Sequence, residues 1–228
     1  MRYPNIVQGR FISRPNRFIA HVELDGQDVV CHVKNTGRCR ELLLPGVAVW
    51  LNKSDHPARK TAYDLIAVDK GGLLINMDSA APNAVFGEFA REGRFLSDAQ
   101  TVKNEVRFGA SRFDFCITAD GRTHYVEVKG VTLEEDGVVR FPDAPTERGE
   151  RHVRELIAAK QAGYGAHIVF VIQMEQAKYF APNVRTHPSF GTALQEAAAA
   201  GVQIHAYTCK VTHDGLELKN PVPVVLEE

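Results

Sequence analysis

The chain has 228 residues, 44% apolar and 24% charged, with a formal net charge of −1: an ordinary globular composition, enough for one large or two small domains. No stretch is long and apolar enough to cross a bilayer, and Met1-Arg2-Tyr3-Pro4-Asn5 lacks the apolar core of a signal peptide, so a cytoplasmic protein without a membrane partner is expected. The near-zero charge excludes a uniformly basic coat but hides an asymmetry: residues 1–60 carry ten Lys or Arg against five Asp or Glu, and residues 114–228 carry eleven against sixteen.

Residues 6–12, 17–24 and 29–33 read as strands, with Asp25-Gly26 as a hairpin signal between the last two, and residues 47–51 and 63–68 as two more. Five short strands with a brief helical turn at 38–43 suit an OB-like barrel, a fold that binds oligonucleotides across one open face. Its contacts would come from Arg10, Arg14, Arg17, Phe18, Lys34, Arg38 and Arg40, unless these are merely solvated. Asn35-Thr36-Gly37-Arg38 reads as a turn, either purely structural or with N–H groups that cradle a phosphate. His32 and Trp50 are expected to be packed. Cys31, Cys39, Cys116 and Cys209 lack disulfide or zinc-ribbon spacing; Cys31-His32 with Cys39 is one ligand short, so reduced, buried thiols are expected.

The domain boundary falls near 78–82, giving domains of 1–80 and 81–228. Ser79 looks like the start of a helix carrying Val85, Phe86 and Phe89 on one face and stopping at Gly93. Residues 102–108, 112–118 and 125–129 follow as strands, the last two joined through Asp120-Gly121. Glu134-Glu135-Asp136-Gly137 reads as a polar loop, solvated or metal-binding. Thr146 is a good N-cap for a helix reaching about Ala162, with Val153, Leu156 and Ile157 buried and Arg148 and His152 one turn apart at their border. Residues 166–172 form an apolar run suited to a central strand, with Gln173 at its end. A loop at 182–187, a helix at 190–200 ending at Gly201 and a strand at 202–211 complete the sheet. The tail from Pro221 to Glu228 reads as an edge strand or as disordered.

Chemistry concentrates in the three strands. Glu127 and Lys129 are two residues apart and project from one face, while Val126 and Val128 point to the other. Asp114 lies in an apolar run, where an unpaired carboxylate would cost several kcal/mol. A divalent cation held by Asp114, Glu127 and the Val128 carbonyl would compensate it, because hard cations such as Mg²⁺ or Mn²⁺ take oxygen ligands and leave positions for water and a phosphate. Lys129 would then act on the attacking water or hold a phosphate oxygen, and Glu105 would complete the site or take a second metal. The alternative is a surface hairpin whose Glu127–Lys129 pair contributes about 0.5 kcal/mol and no function.

The order Asp114, then Glu127-Val128-Lys129, resembles the PD-(D/E)xK nuclease superfamily. Asn35-Thr36-Gly37-Arg38, Glu105-Val-Arg-Phe-Gly109, Ser111-Arg112-Phe113-Asp114-Phe115, Val126-Glu-Val-Lys129 with Val131-Thr132-Leu133, and Phe141-Pro-Asp-Ala-Pro-Thr-Glu-Arg-Gly149 resemble the sugar fermentation stimulation protein A family, SfsA, over nearly the whole chain. That resemblance implies an α/β (α+β) protein: an N-terminal OB-like barrel followed by a nuclease-like αβββαβ domain. It also implies DNA binding linked to sugar, notably maltose, utilisation. In the superfamily the helix carrying Arg148 and His152 packs beside the active site, where both could hold a phosphate; Arg14, Arg17, Lys34, Asn35, Arg38 and Arg112 are the other expected nucleic-acid contacts. Two functions stay open: a Mg²⁺- or Mn²⁺-dependent nuclease, or a non-catalytic DNA-binding regulator on a nuclease scaffold. RNA is not excluded as the ligand.

Overall fold

The computed structural model describes residues 1–35, 37–56, 58–109 and 111–227; Thr36 of the expected phosphate-cradling turn and Glu228 of the tail lie outside the described residues. Six strands open the chain: β1 (Ile6–Ser13), β2 (Ile19–Leu24), β3 (Gln27–Val33), β4 (Ala48–Lys53), β5 (Tyr63–Lys70) and β6 (Leu73–Asn76). The first five close in the ring order β1–β2–β3–β5–β4–β1, with only β3 and β5 parallel, the closed five-stranded barrel of an OB domain. Alternate residues point inward: Phe11, Ala20, Val22, Cys31, Val33, Val49 and Leu51 are buried together. All four cysteines are free, three of them buried.

Local chemistry sets the element ends. Asp25 and Gly26, at φ of 51° and 78°, make the expected hairpin turn. Strand β2 starts at Ile19 rather than Arg17 because the Asn16 side chain accepts the N–H groups of Phe18 and Ile19, an Asx turn that delays pairing. The helical turn expected at 38–43 is reduced to reverse turns in which Leu42 and Leu43 both donate to the Cys39 carbonyl.

The second half adds α1 (Ala81–Arg91), β7 (Ala99–Phe108), β8 (Ser111–Ala119), β9 (Arg122–Val131), β10 (Leu133–Glu135), β11 (Val138–Phe141) and α2 (Glu147–Gln161). It ends with β12 (Gly165–Ile172), β13 (Tyr179–Pro182), α3 (Pro188–Ala199), β14 (Gln203–Thr212) and β15 (Gly215–Pro221). One six-stranded sheet runs β15-β14-β12-β9-β8-β7. Helix α1 covers one face, Val85 and Phe86 packing with Phe115, Val126 and Val128; α2 and α3 cover the other through Val153, Leu156 and Leu194. Strand β12 lies between two parallel neighbours and is buried at all eight positions, which is why its sequence is a continuous apolar run.

The αβββαβ order is present, with additions that periodicity does not reveal. Glu134 and Glu135, read as loop, form β10 in a small sheet with β11 and β13. Glu134 is taken by Lys70 at 2.5 Å, which ties the barrel to this sheet. The tail lies along β13, Phe180 donating to the Pro223 carbonyl and accepting from Val225. Ser79 does not open α1: its hydroxyl donates to the Lys34 carbonyl, and Asp78 accepts the Ala80 N–H at 2.9 Å before the helix begins at Ala81. Thr146 caps α2 through the Gly149 N–H at 3.1 Å, as its sequence predicts. Among the described residues no helix is long and apolar enough to cross a membrane.

Candidate active site

The sheet opens where the acidic residues sit. Strands β8 and β9 pair from Ala119–Arg122 as far as Phe115–Val126, and there the ladder stops. Beyond it the Val128 N–H has no strand partner and donates instead to Asp114 Oδ2 at 2.8 Å, while Asn83 of α1 donates to Asp114 Oδ1 at 2.9 Å. Asp114 alternates away from buried Phe113 and Phe115, so its carboxylate lines the opening. Burial, followed by the charge of Glu127, pushes its carboxyl above the usual range.

Glu127 is 2% exposed. Its Oε1 accepts from Lys129 Nζ at 2.5 Å and from His152 Nδ1 of α2. Burial alone would raise its pKa, but the His152 hydrogen bond and the Lys129 charge outweigh it, and the carboxyl is held below its ordinary value. Glu127 Oε2 is buried and lacks a hydrogen-bond partner among the described residues. Such an atom is costly unless something else meets it.

A cavity of about 210 Å³ brings the predicted residues together: Glu105, Arg112, Asp114, Glu127, Val128, Lys129, Arg148 and His152 all line it, with Asn83, Ser79 and Gly130. Glu105, opposite Asp114 on β7, has the left-handed φ of 57° and pairs with Arg112 at 2.7 Å. Arg148 lies on the exposed face of α2, its Nε donating to His152 Nε2 at 3.4 Å, and His152 is buried between Arg148 and Glu127. No three His, Cys, Asp or Glu side chains among the described residues form a ready-made metal cage. Two carboxylates, one of them carrying the orphan buried oxygen, and a backbone carbonyl nonetheless fit a hard cation that keeps waters and takes substrate oxygens.

The barrel residues separate. Arg17 and Arg38 line a cavity of about 440 Å³ with Arg40, and Asn35 lines the one beside it. Arg14, although it borders the same space, donates to the carbonyls of Arg17, Asn35 and Arg38 and so clamps two loops together. Lys34 turns inward to Asp64 at 3.3 Å and Asp78 at 3.5 Å. Gln173 bonds Asn76 and the Asp78 carbonyl and stays out of the acidic cleft. His32 pairs with Asp64, and Trp50 is 7% exposed and stacked on His213.

Sequence reasoning missed Asn83 and Asp143. Asn83 meets Asp114 across 31 residues of chain, and no local pattern marks it. Asp143 is pressed on Gly37, where a Cβ would stand 2.0 Å from its Oδ2, and it accepts the Arg38 N–H. The Phe141-Pro-Asp motif was its only signal.

Residues 12–77 match the family model of the SfsA N-terminal OB domain, and residues 80–215 that of the sugar fermentation stimulation protein RE domain. A sugar fermentation stimulation protein homolog of Desulfitobacterium hafniense (strain Y51) is 57% identical over 228 residues, all of both chains. One from Clostridium beijerinckii is 50% identical over 226 residues, 99% of this chain and 100% of that one. The structure of Pyrococcus furiosus SfsA in complex with Ca²⁺ superposes with a TM-score of 0.89 at 27% identity, covering 99% of this chain and 98% of the other. The chain belongs to the sugar fermentation stimulation protein (SfsA) family.

Proposed function

We propose that the protein is a divalent-metal-dependent phosphodiesterase acting on nucleic acid, with DNA as the first substrate to test. The observation that carries this reading is the buried, unpartnered Oε2 of Glu127, a residue that lines the same cleft as Asp114 and Lys129. Capture of Ca²⁺ by the Pyrococcus furiosus relative supports a hard cation here, and the same oxygen set suits Mg²⁺ or Mn²⁺.

Asp114, Glu127 and the Val128 carbonyl would hold the cation, which when bound supplies positive charge beside a phosphate and acidifies a water. Asn83 and the Val128 N–H fix the Asp114 carboxylate, and His152 and Lys129 fix Glu127, so neither ligand must be ordered when substrate arrives. Lys129, its ammonium held on Glu127 Oε1, would act on the attacking water or hold a phosphate oxygen. Arg112 of β8 and Arg148 of α2, which both line the cleft, would offer guanidinium groups to the flanking phosphates.

The test is cleavage of single-stranded DNA, duplex DNA and RNA in Mg²⁺ or Mn²⁺ by wild type, Asp114→Asn and Glu127→Gln. Cleavage that both substitutions reduce at least a thousandfold is the expected result. If wild type cuts nothing yet binds DNA as tightly as both variants, the phosphodiesterase reading fails and a DNA-binding regulator on this scaffold takes its place.

A further inference from the structure

Three cavities adjoin one another in series. The first, about 440 Å³, is on the barrel; it shares Gly37 with a second of about 190 Å³, which shares Ser79 and Gly130 with the acidic cleft of about 210 Å³. The shared residues are two glycines and a serine, small residues that leave the two junctions to the side chains packed around them. Gly37 is held at the first by the Asp143 carboxylate and the Asn35 side chain, and Gly130 at the second packs on Gln173 and Pro82.

The barrel cavity has two kinds of lining. Arg17, Arg38 and Arg40 are exposed, and among the described residues none of their side chains is in an ion pair, in contrast to Lys34 and Arg59, which are spent on Asp64. Phe11, Cys39 and Leu43, which line the same space, are buried and apolar. Arginines alone would suit the outside of a duplex, whose affinity comes from phosphate contacts. An apolar lining beneath them gains nothing from a duplex, because stacked and paired bases do not reach it; an unstacked base does, with its phosphate on the arginines. Arg14 holds this shape by bonding the 14–17 and 35–38 loops to each other.

We infer that the ligand is a single nucleic-acid strand, anchored by an unstacked nucleotide in the Arg17–Arg38–Arg40 pocket and running past Gly37 and Gly130 into the acidic cleft. The inference rests on the phosphodiesterase reading for what happens at the cleft end, and on the barrel pocket alone for strandedness. A duplex would have to open, or offer an overhang, to occupy the path.

The test is fluorescence anisotropy with the full-length Glu127→Gln protein, using an oligothymidylate of about 12 nucleotides and a blunt hairpin duplex of equal length. The expected result is at least tenfold tighter binding of the single strand. A further loss of at least tenfold is expected in an Arg38→Ala/Arg40→Ala double variant, with the salt slope reduced by about one to one and a half. Arg17→Ala, made separately and checked for folding by urea titration, should lose affinity in the same direction. A duplex bound as tightly as the strand, or arginine variants that bind the strand like their parent, overturns the inference. Duplex cleavage by wild type in Mn²⁺ would in that case leave the phosphodiesterase reading standing. Strand-selective binding that needs the arginines, with no cleavage of any substrate, upholds the inference and removes the phosphodiesterase.

Discussion

Asp114 Oδ2 takes the Val128 N–H at 2.8 Å, the hydrogen bond that the β8–β9 ladder gives up one residue earlier. One carboxylate therefore has two tasks: it satisfies a backbone donor at the split in the sheet, and it lines the cleft. Substitutions separate them. In Asp114→Asn the amide oxygen still accepts from Val128 and the amide nitrogen can face a flipped Asn83, so the fold should hold while Mn²⁺ affinity, read by calorimetric titration, falls ten- to a hundredfold. Asp114→Leu leaves the Val128 N–H without a partner and should cost about 1–3 kcal/mol in urea unfolding besides losing the metal.

Glu105 stands in a strand with a left-handed φ of 57°, a conformation that costs a side-chain-bearing residue about 1 kcal/mol or more. Its carboxylate is 54% exposed and paired with Arg112, an arrangement worth too little to repay that strain. Glu105→Gly should therefore be neutral or stabilising by up to about 1 kcal/mol while lowering activity, whereas Asn104→Gly on the same strand should be destabilising by about 0.5–1 kcal/mol. Equal destabilisation in both variants would show that the strain at Glu105 has no energetic weight.

The part of the site carried by strand alternation was legible in the sequence. Glu127 and Lys129 share a face because the side-chain period is two, and Asp114 one strand earlier follows from the Asp120-Gly121 hairpin. Illegible were the partners that arrive from distant elements: Asn83 on Asp114, Asp143 on Gly37, and Asp64 and Asp78 on Lys34. Lys34 shows the limit most clearly. A lysine after a barrel strand reads as an exposed cation, and only the fold reveals two buried carboxylates beneath it. Strands β10, β13 and β15 were missed for a related reason: each is short or polar, and its pairing comes from neighbours rather than from its own pattern.

Lys34 should thus behave as a structural cation. Burial alone would push the Asp64 carboxyl up, but Arg59 and Lys34 outweigh it and bring it down to about 2. A depressed carboxylate contributes stability that is complete above its unfolded value, near 4, and is lost as pH falls toward 2, here amounting to about 2 kcal/mol. Lys34→Met should remove part of it, lowering stability by about 1–3 kcal/mol at pH 7 and shrinking the loss between pH 4 and 2. Acid titrations of wild type and variant, followed by circular dichroism, measure both effects; unchanged stability at pH 7 would return Lys34 to the surface cations.

His124, His167 and His205 form a row across β9, β12 and β14, with ring nitrogens 3.0 and 3.2 Å apart and Phe95 set edge-on against the second and third rings. Gly165 makes room for it, since a Cβ there would stand 2.1 Å from His124 Nδ1. In these two N···N hydrogen bonds in series, a neutral His167 donates through one ring nitrogen and accepts at the other. Burial, then the neighbouring histidines and Lys160, pushes His167 down to about 3, and burial pushes His205 to about 4. Both groups bind protons near pH 6.5 once unfolded, so stability is complete above that value and falls as pH drops toward the folded pKa values. At pH 5 the loss from His167 alone should be about 2 kcal/mol. Urea unfolding at pH 7 and pH 5 gives the summed loss, to which His205 adds about as much, and in His167→Phe, which carries no titrating ring, the difference should shrink by about 2 kcal/mol. An equal difference in variant and wild type would locate the acid sensitivity elsewhere, in another group that takes up a proton between pH 7 and pH 5, His205 first.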